Sequence, residues 1–371
     1  MKIALLITLM DDIGGAQIHV RDLALALKQR GHQPLILTGS IGPISDSLVS
    51  AGIEVFLIPS LLRPISLRRD IEAVGQVKRV LLATKPDILA CHSSKAGIVG
   101  RIAARLVNVP VVFTAHGWAF TEGVPSLKRH VYSLVERLAG MISGEIVAVS
   151  EYDRMLALRE RVISPAKITT IHNCIPLDEH PVSLGSNNVP RIVMVARFAE
   201  PKDHATLIYA VSKLTDLQWE LHLIGGGDPF EVVRLCRNSG IYDRTAIWGE
   251  RSDVATLLAS MDIFVLLSRW EGFPLSVLEA MRAGLPVIVS DVGGASEAIV
   301  RDQTGYLVPR GDAAKAAIVL RALLSNPELR SQMGRAGREH FAKCFAVDRM
   351  VDSTLRLYGR LARHANEEAE G

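Results

Sequence analysis

The sequence has little of what marks a secreted, metal-binding or nucleic-acid-binding protein. Its four cysteines, Cys91, Cys174, Cys236 and Cys344, are scattered. They form no CxxC pair and have no histidine at ligand spacing, so free thiols in a reducing cytosol and no metal are expected. The formal charge is only +3, with no run of lysine and arginine, which argues against nucleic acid as a partner. Aromatic residues make up 5% of the chain and aliphatic ones abound, which disfavours an all-β architecture. No apolar run approaches the ~20 residues of a spanning helix. The apolar start, Met1 to Met10, ends at Asp11-Asp12 without a small-residue cleavage site, so it reads as a first buried strand and not a signal peptide. Also missing are a GxGxxG turn and an acid closing the second strand, which ends in Thr38-Gly39. Those absences disfavour a dinucleotide enzyme.

What is present is apolar patterning on a large scale. With 371 residues, 49% of them hydrophobic, two domains are expected. Short apolar runs alternate with helical periodicity, as in Ile3–Leu9, the helix to Arg30 and Pro34–Thr38. Runs at Val55–Ile58, Asp87–Cys91, Val111–Thr114, Ile146–Val149 and Ile168–Ile171 continue the pattern. A second alternation runs from Arg191–Val195 through Trp219–Ile224, Ala246–Trp248, Ile263–Leu267 and Pro286–Ser290. Between them lies Pro176–Pro190, rich in Pro, Ser and Asn, the best linker in the chain. The expected fold is α/β: two doubly wound halves with parallel sheets, and a final helical segment over Phe345–Arg363.

Chemistry-bearing residues gather where strands end. Ser268–Met281 follows an apolar strand, turns through Gly272-Phe273-Pro274-Leu275 and enters a helix. Its two carboxylates are Glu271 in the loop and Glu279 on the helix. The helix start offers N–H groups to an anion. The carboxylates could act as a general acid/base pair, but a hydroxyl-binding clamp beside a phosphate suits a loop–helix pair better. Arg197 and Lys202 follow another strand and suit a diphosphate, or else pair with Glu200 or Asp203. Gly225-Gly226-Gly227 allows close approach of a ligand or simply a turn, and Gly14-Gly15 at the first strand-to-helix turn carries the same ambiguity. His116, in Thr-Ala-His-Gly after a buried strand, is the better of two edge histidines; His92 has no other feature pointing to it.

Taken together, the E-x7-E segment, Gly14-Gly15, Thr-Ala-His116-Gly, His172-Asn173, Arg197…Lys202 and Gly225-Gly-Gly resemble the retaining glycosyltransferases of family 4, with the GT-B fold. The resemblance runs from about Lys2 to Tyr358. It implies two Rossmann-like domains facing across a cleft: 1–183 with a crossover helix 345–371 on the acceptor side, and 184–344 binding the donor. It also implies a nucleotide-diphosphate sugar, UDP- or GDP-linked, as substrate, a saccharide or lipid-linked saccharide acceptor, and no cofactor or metal. On this chain, Arg197 and Lys202 would hold the diphosphate, Glu279 the ribose, and Glu271 with Gly272, Phe273, Pro274 and Leu275 the sugar. Gly14 and Gly15 would approach the diphosphate, His116 would lie by the anomeric carbon, and Gly249–Val254 would border the base. Three departures from the family pattern stand at Cys174, Asp203 and Asp228-Pro229-Phe230, of which Asp203 could alter the diphosphate loop.

The implied activity is sugar transfer in cell-surface polysaccharide or glycolipid assembly, in the cytoplasm or at the inner membrane face. A nucleotide-sugar epimerase of the same fold and a non-catalytic sugar-nucleotide binder are the alternatives. Peripheral membrane contact is suggested by Arg63, Arg68, Arg69, Lys78 and Arg79 beside Leu61, Leu62, Ile65 and Leu67, a pattern that a solvated helix face explains equally.

Overall fold

The computed structural model describes residues 1–11, 14–177, 182–183 and 187–370, with only the backbone for 365–370. Parts of two expected segments, residues 12–13 of the first loop and 178–181 and 184–186 of the linker, lie outside the described residues. The chain forms two units, Met1–Pro176 with Val347–Gly371, and Leu177–Ala346.

In the first unit β1 (Lys2–Ile7), α1 (Gly15–Gln29), β2 (Gln33–Thr38), α2 (Pro43–Ser50) and β3 (Glu54–Leu57) build one flank. The other flank is α3 (Leu67–Thr84), β4 (Ile88–His92), α4 (Ser94–Arg105), β5 (Val111–Ala115), α5 (Ser126–Gly140), β6 (Glu145–Ala148), α6 (Glu151–Arg159) and β7 (Ile168–Thr170). The seven strands are parallel, in the order β3-β2-β1-β4-β5-β6-β7. Strands covered on both faces must be apolar throughout, and every residue of β4 and β5 is buried. Helices α2 and α6 have no counterpart in the sequence reading, because each is short and half polar. Leu61 is fully buried in the core, so the basic stretch around Arg63 presents Ile65 and Leu67 to solvent but not Leu61.

The second unit runs β8 (Arg191–Val195), α7 (His204–Val211), β9 (Glu220–Ile224), α8 (Phe230–Asn238), β10 (Thr245–Gly249), α9 (Val254–Ala259), β11 (Ile263–Leu266), α10 (Leu275–Arg282), β12 (Val287–Ser290), β13 (Gly305–Val308), α11 (Ala313–Leu324) and α12 (Pro327–Cys344). Its six parallel strands are ordered β10-β9-β8-β11-β12-β13. The four-residue strand β13 is missed in the sequence because Gly305 opens it and only part of it is buried. The last helix, α13 (Val347–Glu370), belongs to the first unit. It buries Met350, Val351 and Tyr358 there, and Arg360 pairs with Glu145 at 2.6 Å.

One polar pair is sunk into the first unit. Arg101 on α4 has no exposed surface; it meets Glu136 of α5 at 2.9 Å and donates to Ser143 Oγ at 3.0 Å and to the Gly97 carbonyl at 2.8 Å. The planar guanidinium spends its donors on three acceptors, which is what lets the charge be buried. Glu136→Ala strands that charge. It is expected to lower the stability of the first unit by about 3–5 kcal/mol in a denaturant titration, and an unchanged midpoint would show that the pair is not buried.

Candidate functional site

Parallel strands joined by right-handed crossovers place all their outgoing loops at the carboxyl edge of the sheet. Where the strand order reverses, neighbouring loops part and leave a crevice. In the second unit the reversal lies between β8 and β11. The loops leaving those strands carry Arg197 to Lys202 and Ser268 to Leu275.

These loops are bound to each other. Lys202 forms an antiparallel bridge with Ser268, the Asp203 N–H donates to the Leu267 carbonyl at 2.8 Å, and the Arg269 N–H donates to the Pro201 carbonyl at 2.8 Å. That backbone frame places Lys202 Nζ 2.5 Å from Glu271 Oε1, and Ser268 Oγ donates to the same oxygen at 2.5 Å. The two side chains are only 16% and 10% exposed, so the pair is largely desolvated and stronger than a surface ion pair. One ammonium hydrogen suffices for Glu271, which leaves two donors for a ligand. Neither Glu200 nor Asp203 is the partner of Lys202. Glu200 pairs with Arg269. Asp203 caps α7, accepting from the Thr206 N–H at 3.2 Å and the Thr206 hydroxyl at 2.7 Å. The aspartate that departs from the family pattern therefore has a local structural task. Arg197 is exposed and, among the described residues, its side chain makes no ion pair or hydrogen bond.

Helix α10 begins at Leu275 behind Pro274 with no side-chain cap; the Val277 N–H turns back to the Pro274 carbonyl at 3.3 Å, and the N–H groups of Leu275 and Ser276 before it face the crevice without a side-chain cap. Gly272 precedes Phe273, which is buried against Phe345 with ring centroids 5.5 Å apart. Glu279 sits one turn into the helix, partly buried.

The glycine run resolves as an approach of the chain to itself. The Ala196 N–H donates to the Ile224 carbonyl and the Phe198 N–H to the Gly226 carbonyl, both at 2.8 Å, so the β8–β9 pairing continues past the strand ends. Gly225 has φ +158°, and a Cβ there would stand 2.1 Å from the Ala196 carbonyl oxygen. Gly249, at the end of β10, accepts from the Gly225 N–H at 2.8 Å. A further glycine was not singled out in the sequence. Gly293, after β12, has φ +54°, and a Cβ on it would lie 1.9 Å from the Glu271 carbonyl oxygen. It backs the loop that carries Glu271; the Val-Gly-Gly turn after a strand was its only sequence signal.

In the first unit the reversal lies between β1 and β4. Gly14 is the N-cap of α1 and Gly15 its first residue, again without a side-chain cap. His116 follows β5, His92 ends β4, and His19 lies one turn into α1. The three converge. His92 Nδ1 lies 3.2 Å from His116 Nε2, and the His19 and His116 rings meet edge-on at 4.6 Å. Burial lowers the pKa of His19 to about 4, against a hydrogen bond to the Asn173 side chain that raises it. Burial, and then the neighbouring imidazoles, push His92 and His116 well below the ordinary range. All three rings are therefore neutral, and His92 and His116 share one proton in their hydrogen bond. Next to them Ser93 holds φ +129°, a strained value for a side-chain-bearing residue, pinned by a 2.6 Å contact between its Oγ and Thr8 Oγ1. One nitrogen from each histidine lies within 4.8 Å of the others. This is the one cluster among the described residues that could ligate a metal ion, although a metal would have to replace the His92–His116 hydrogen bond. Linear spacing hides the cluster, which is why the sequence offered no histidines at ligand distance.

Comparison with known proteins bears on the family and the fold. The model for "Glycosyl transferase 4-like domain" matches residues 14–174, and that for "Glycosyl transferases group 1" matches 178–340. A UDP-Gal:alpha-D-GlcNAc-diphosphoundecaprenol alpha-1,3-galactosyltransferase of Escherichia coli is 28% identical over 85% of this chain and 86% of its own. N-acetyl-alpha-D-glucosaminyl L-malate synthase of Bacillus anthracis is 27% identical over 96% and 97%. Among solved structures, Anabaena HepE with UDP and glucose superposes with a TM-score of 0.83 at 19% identity, covering 96% of this chain and 99% of that one. The two doubly wound units are thus those of the GT-B class of α/β proteins. The chain belongs to the group 1 glycosyltransferases of family 4 and is a glycosyltransferase.

Two outcomes follow from the geometry. Between pH 6.5 and about 4 the unfolded chain protonates His19 while the folded unit does not, so acidification favours unfolding. Stability should be flat above the upper value and fall by roughly 3 kcal/mol from His19 alone as the lower one is reached. Denaturant melts across this range should show a shallower acid slope for His19→Gln; an identical slope would disprove the buried neutral state. Separately, Gly293→Ala forces both a strained φ and a clash with Glu271. It should destabilise the second unit by at least about 2 kcal/mol in thermal or denaturant unfolding, whereas the same change at the open Gly240 turn should cost less.

Proposed function

We propose that the protein is a retaining transferase that moves a sugar from a nucleotide-diphosphate sugar to a hydroxyl acceptor, in the assembly of a cell-surface polysaccharide or glycolipid. The observation that carries this reading is the desolvated Lys202–Glu271 pair at the strand-order reversal, beside the uncapped start of α10. It sets a cation, a carboxylate and free N–H groups side by side, which are the groups that a diphosphate and a polyhydroxyl ring need. The donor in this reading is a UDP- or GDP-sugar and the acceptor a saccharide or lipid-linked saccharide; a relative named for a UDP-linked galactose donor supports the UDP-sugar, and one named for phosphatidyl-myo-inositol mannosyl transfer the lipid-linked acceptor. A lipid-carried acceptor brings peripheral membrane contact with it.

In this reading Arg197 and Lys202 bind the diphosphate. As the sugar–phosphate bond breaks with oxocarbenium character, they and the α10 N–H groups stabilise the negative charge that collects on the leaving group. Glu271 and the backbone of Gly272, Phe273, Pro274 and Leu275 hold the sugar hydroxyls, and Glu279 takes the ribose. From the first unit, Gly14 and Gly15 allow backbone N–H groups to approach the diphosphate. His116, kept neutral and held by His92, hydrogen-bonds the sugar. The acceptor hydroxyl attacks from the face that the leaving group vacates, and a phosphate oxygen takes its proton, so no separate base residue is required and the anomeric configuration is retained.

The test is product analysis with a panel of UDP- and GDP-sugars and saccharide acceptors. Wild type should release one nucleoside diphosphate per glycosidic bond formed, with the donor's anomeric configuration seen by NMR. Lys202→Ala should lower kcat/KM by about a hundredfold or more. An inverted product would sink the retaining mechanism, full activity in Lys202→Ala would sink the diphosphate assignment, and sugar interconversion without diphosphate release would favour an epimerase.

A further inference from the structure

Helix α5 is built the wrong way round for a soluble surface helix. Its inward face is polar: Ser133 and Glu136 are buried with Ala139 and Gly140. Glu136 meets the buried Arg101, Ser133 Oγ donates to Glu160 Oε2 at 3.0 Å, and Arg129 reaches Glu160 Oε1 at 3.0 Å. Its outward face is apolar: Leu127, Val131, Leu134, Leu138 and, just beyond the helix, Met141 are between 52 and 81% exposed. They recur at intervals of four, three, four and three residues, which is one continuous stripe on a helix. Ionic and hydrogen-bonded attachment leaves the helix's hydrophobic surface unspent in the folded unit.

The charges beside the stripe identify what covers it. At about 100° per residue, Lys128 falls on one flank of the stripe and Arg137 on the other. Lys128 and Arg137 are both exposed, and Arg137 also reaches Glu160. Glu136 is the only acid on α5, and it is buried and already paired. The adjoining α4 presents Ile102, Arg105 and Leu106 to solvent and contains no acid at all. A second copy of the chain, meeting this face about a two-fold axis, would set these cations against their own equivalents with no carboxylate of α5 to answer them. An apolar stripe bordered by cations instead matches an anionic bilayer surface, with leucines among the acyl chains and lysine and arginine at the phosphates. The geometry points to α5 as a membrane-docking helix that seats this protein on anionic lipid. The inference deepens the lipid-linked-acceptor reading, on which its purpose rests, while its geometry does not depend on that reading.

The test is flotation of the full chain with vesicles of phosphatidylglycerol and phosphatidylcholine, or of phosphatidylcholine alone, at low and high salt. Wild type should float with the anionic vesicles and lose binding as salt rises. The double substitution Leu134→Gln with Leu138→Gln should cut the bound fraction by about tenfold or more. Both positions are exposed, so circular dichroism and melting should be unchanged. Val49→Gln, at an exposed position on α2, is the control and should bind like wild type. Wild type that stays unbound, a double variant that binds equally well, or a lipid-free dimer abolished by the double substitution would each overturn the inference. Diphosphate release with a water-soluble acceptor tests the transferase reading separately, and the flotation result stands whichever way that assay falls.

Discussion

The constraint on which everything else depends is the all-parallel sheet whose strand order reverses once. Parallel strands need crossovers, right-handed crossovers send every outgoing loop to one edge, and the reversal leaves two adjacent loops without a helix between them. Both units obey it, between β1 and β4 and between β8 and β11. The polar residues that a buried strand cannot hold collect at these points. A strand such as β4 is apolar until its final residue, His92, and β11 is apolar until the loop that begins at Ser268. The site chemistry is a by-product of the sheet's topology.

The two edges treat charge differently. The second unit keeps a full ion pair, Lys202–Glu271, steadied by Ser268 and by backbone hydrogen bonds between the two loops. Its charges are fixed in direction by that backbone frame, which is the condition that the proposed stabilisation of a leaving group requires. The first unit keeps its histidines neutral by burying them together, so that they are hydrogen-bonding groups and not cations at physiological pH. The same unit also holds a deeply buried ion pair, Arg101–Glu136, in the attachment of α5. There it lets a helix be held by polar contacts while its leucines face outward.

Several features could be read before the structure because they are local. Strand runs such as Pro34–Thr38 and Arg191–Val195 are apolar stretches marked off by a glycine or proline at one end. The E-x7-E segment states its turn and its helix in consecutive residues, so Glu271, Gly272 and Glu279 could be located within one loop and one helix. Short elements failed for the matching reason: α2, α6 and β13 have too few residues for a period to emerge. Asp203, which looked like a disturbance of a phosphate loop, is a helix cap, a role set by the Thr206 N–H three residues on.

The sequence by itself determined that this is a two-domain α/β transferase of a recognisable family, because the alternation of buried strands and helices and the strand-end motifs are properties of neighbouring residues. Only the tertiary structure decided which residues meet. Lys202 finds Glu271 across 69 positions of sequence, Gly293 backs the Glu271 loop, and His19, His92 and His116 converge from three separate elements. The direction of α5 belongs there too, since its periodicity marks an amphipathic helix but not which face turns inward. The physical reason is the same each time: a period is written in one segment, whereas a contact between segments depends on the sheet order that brings their loops to one edge.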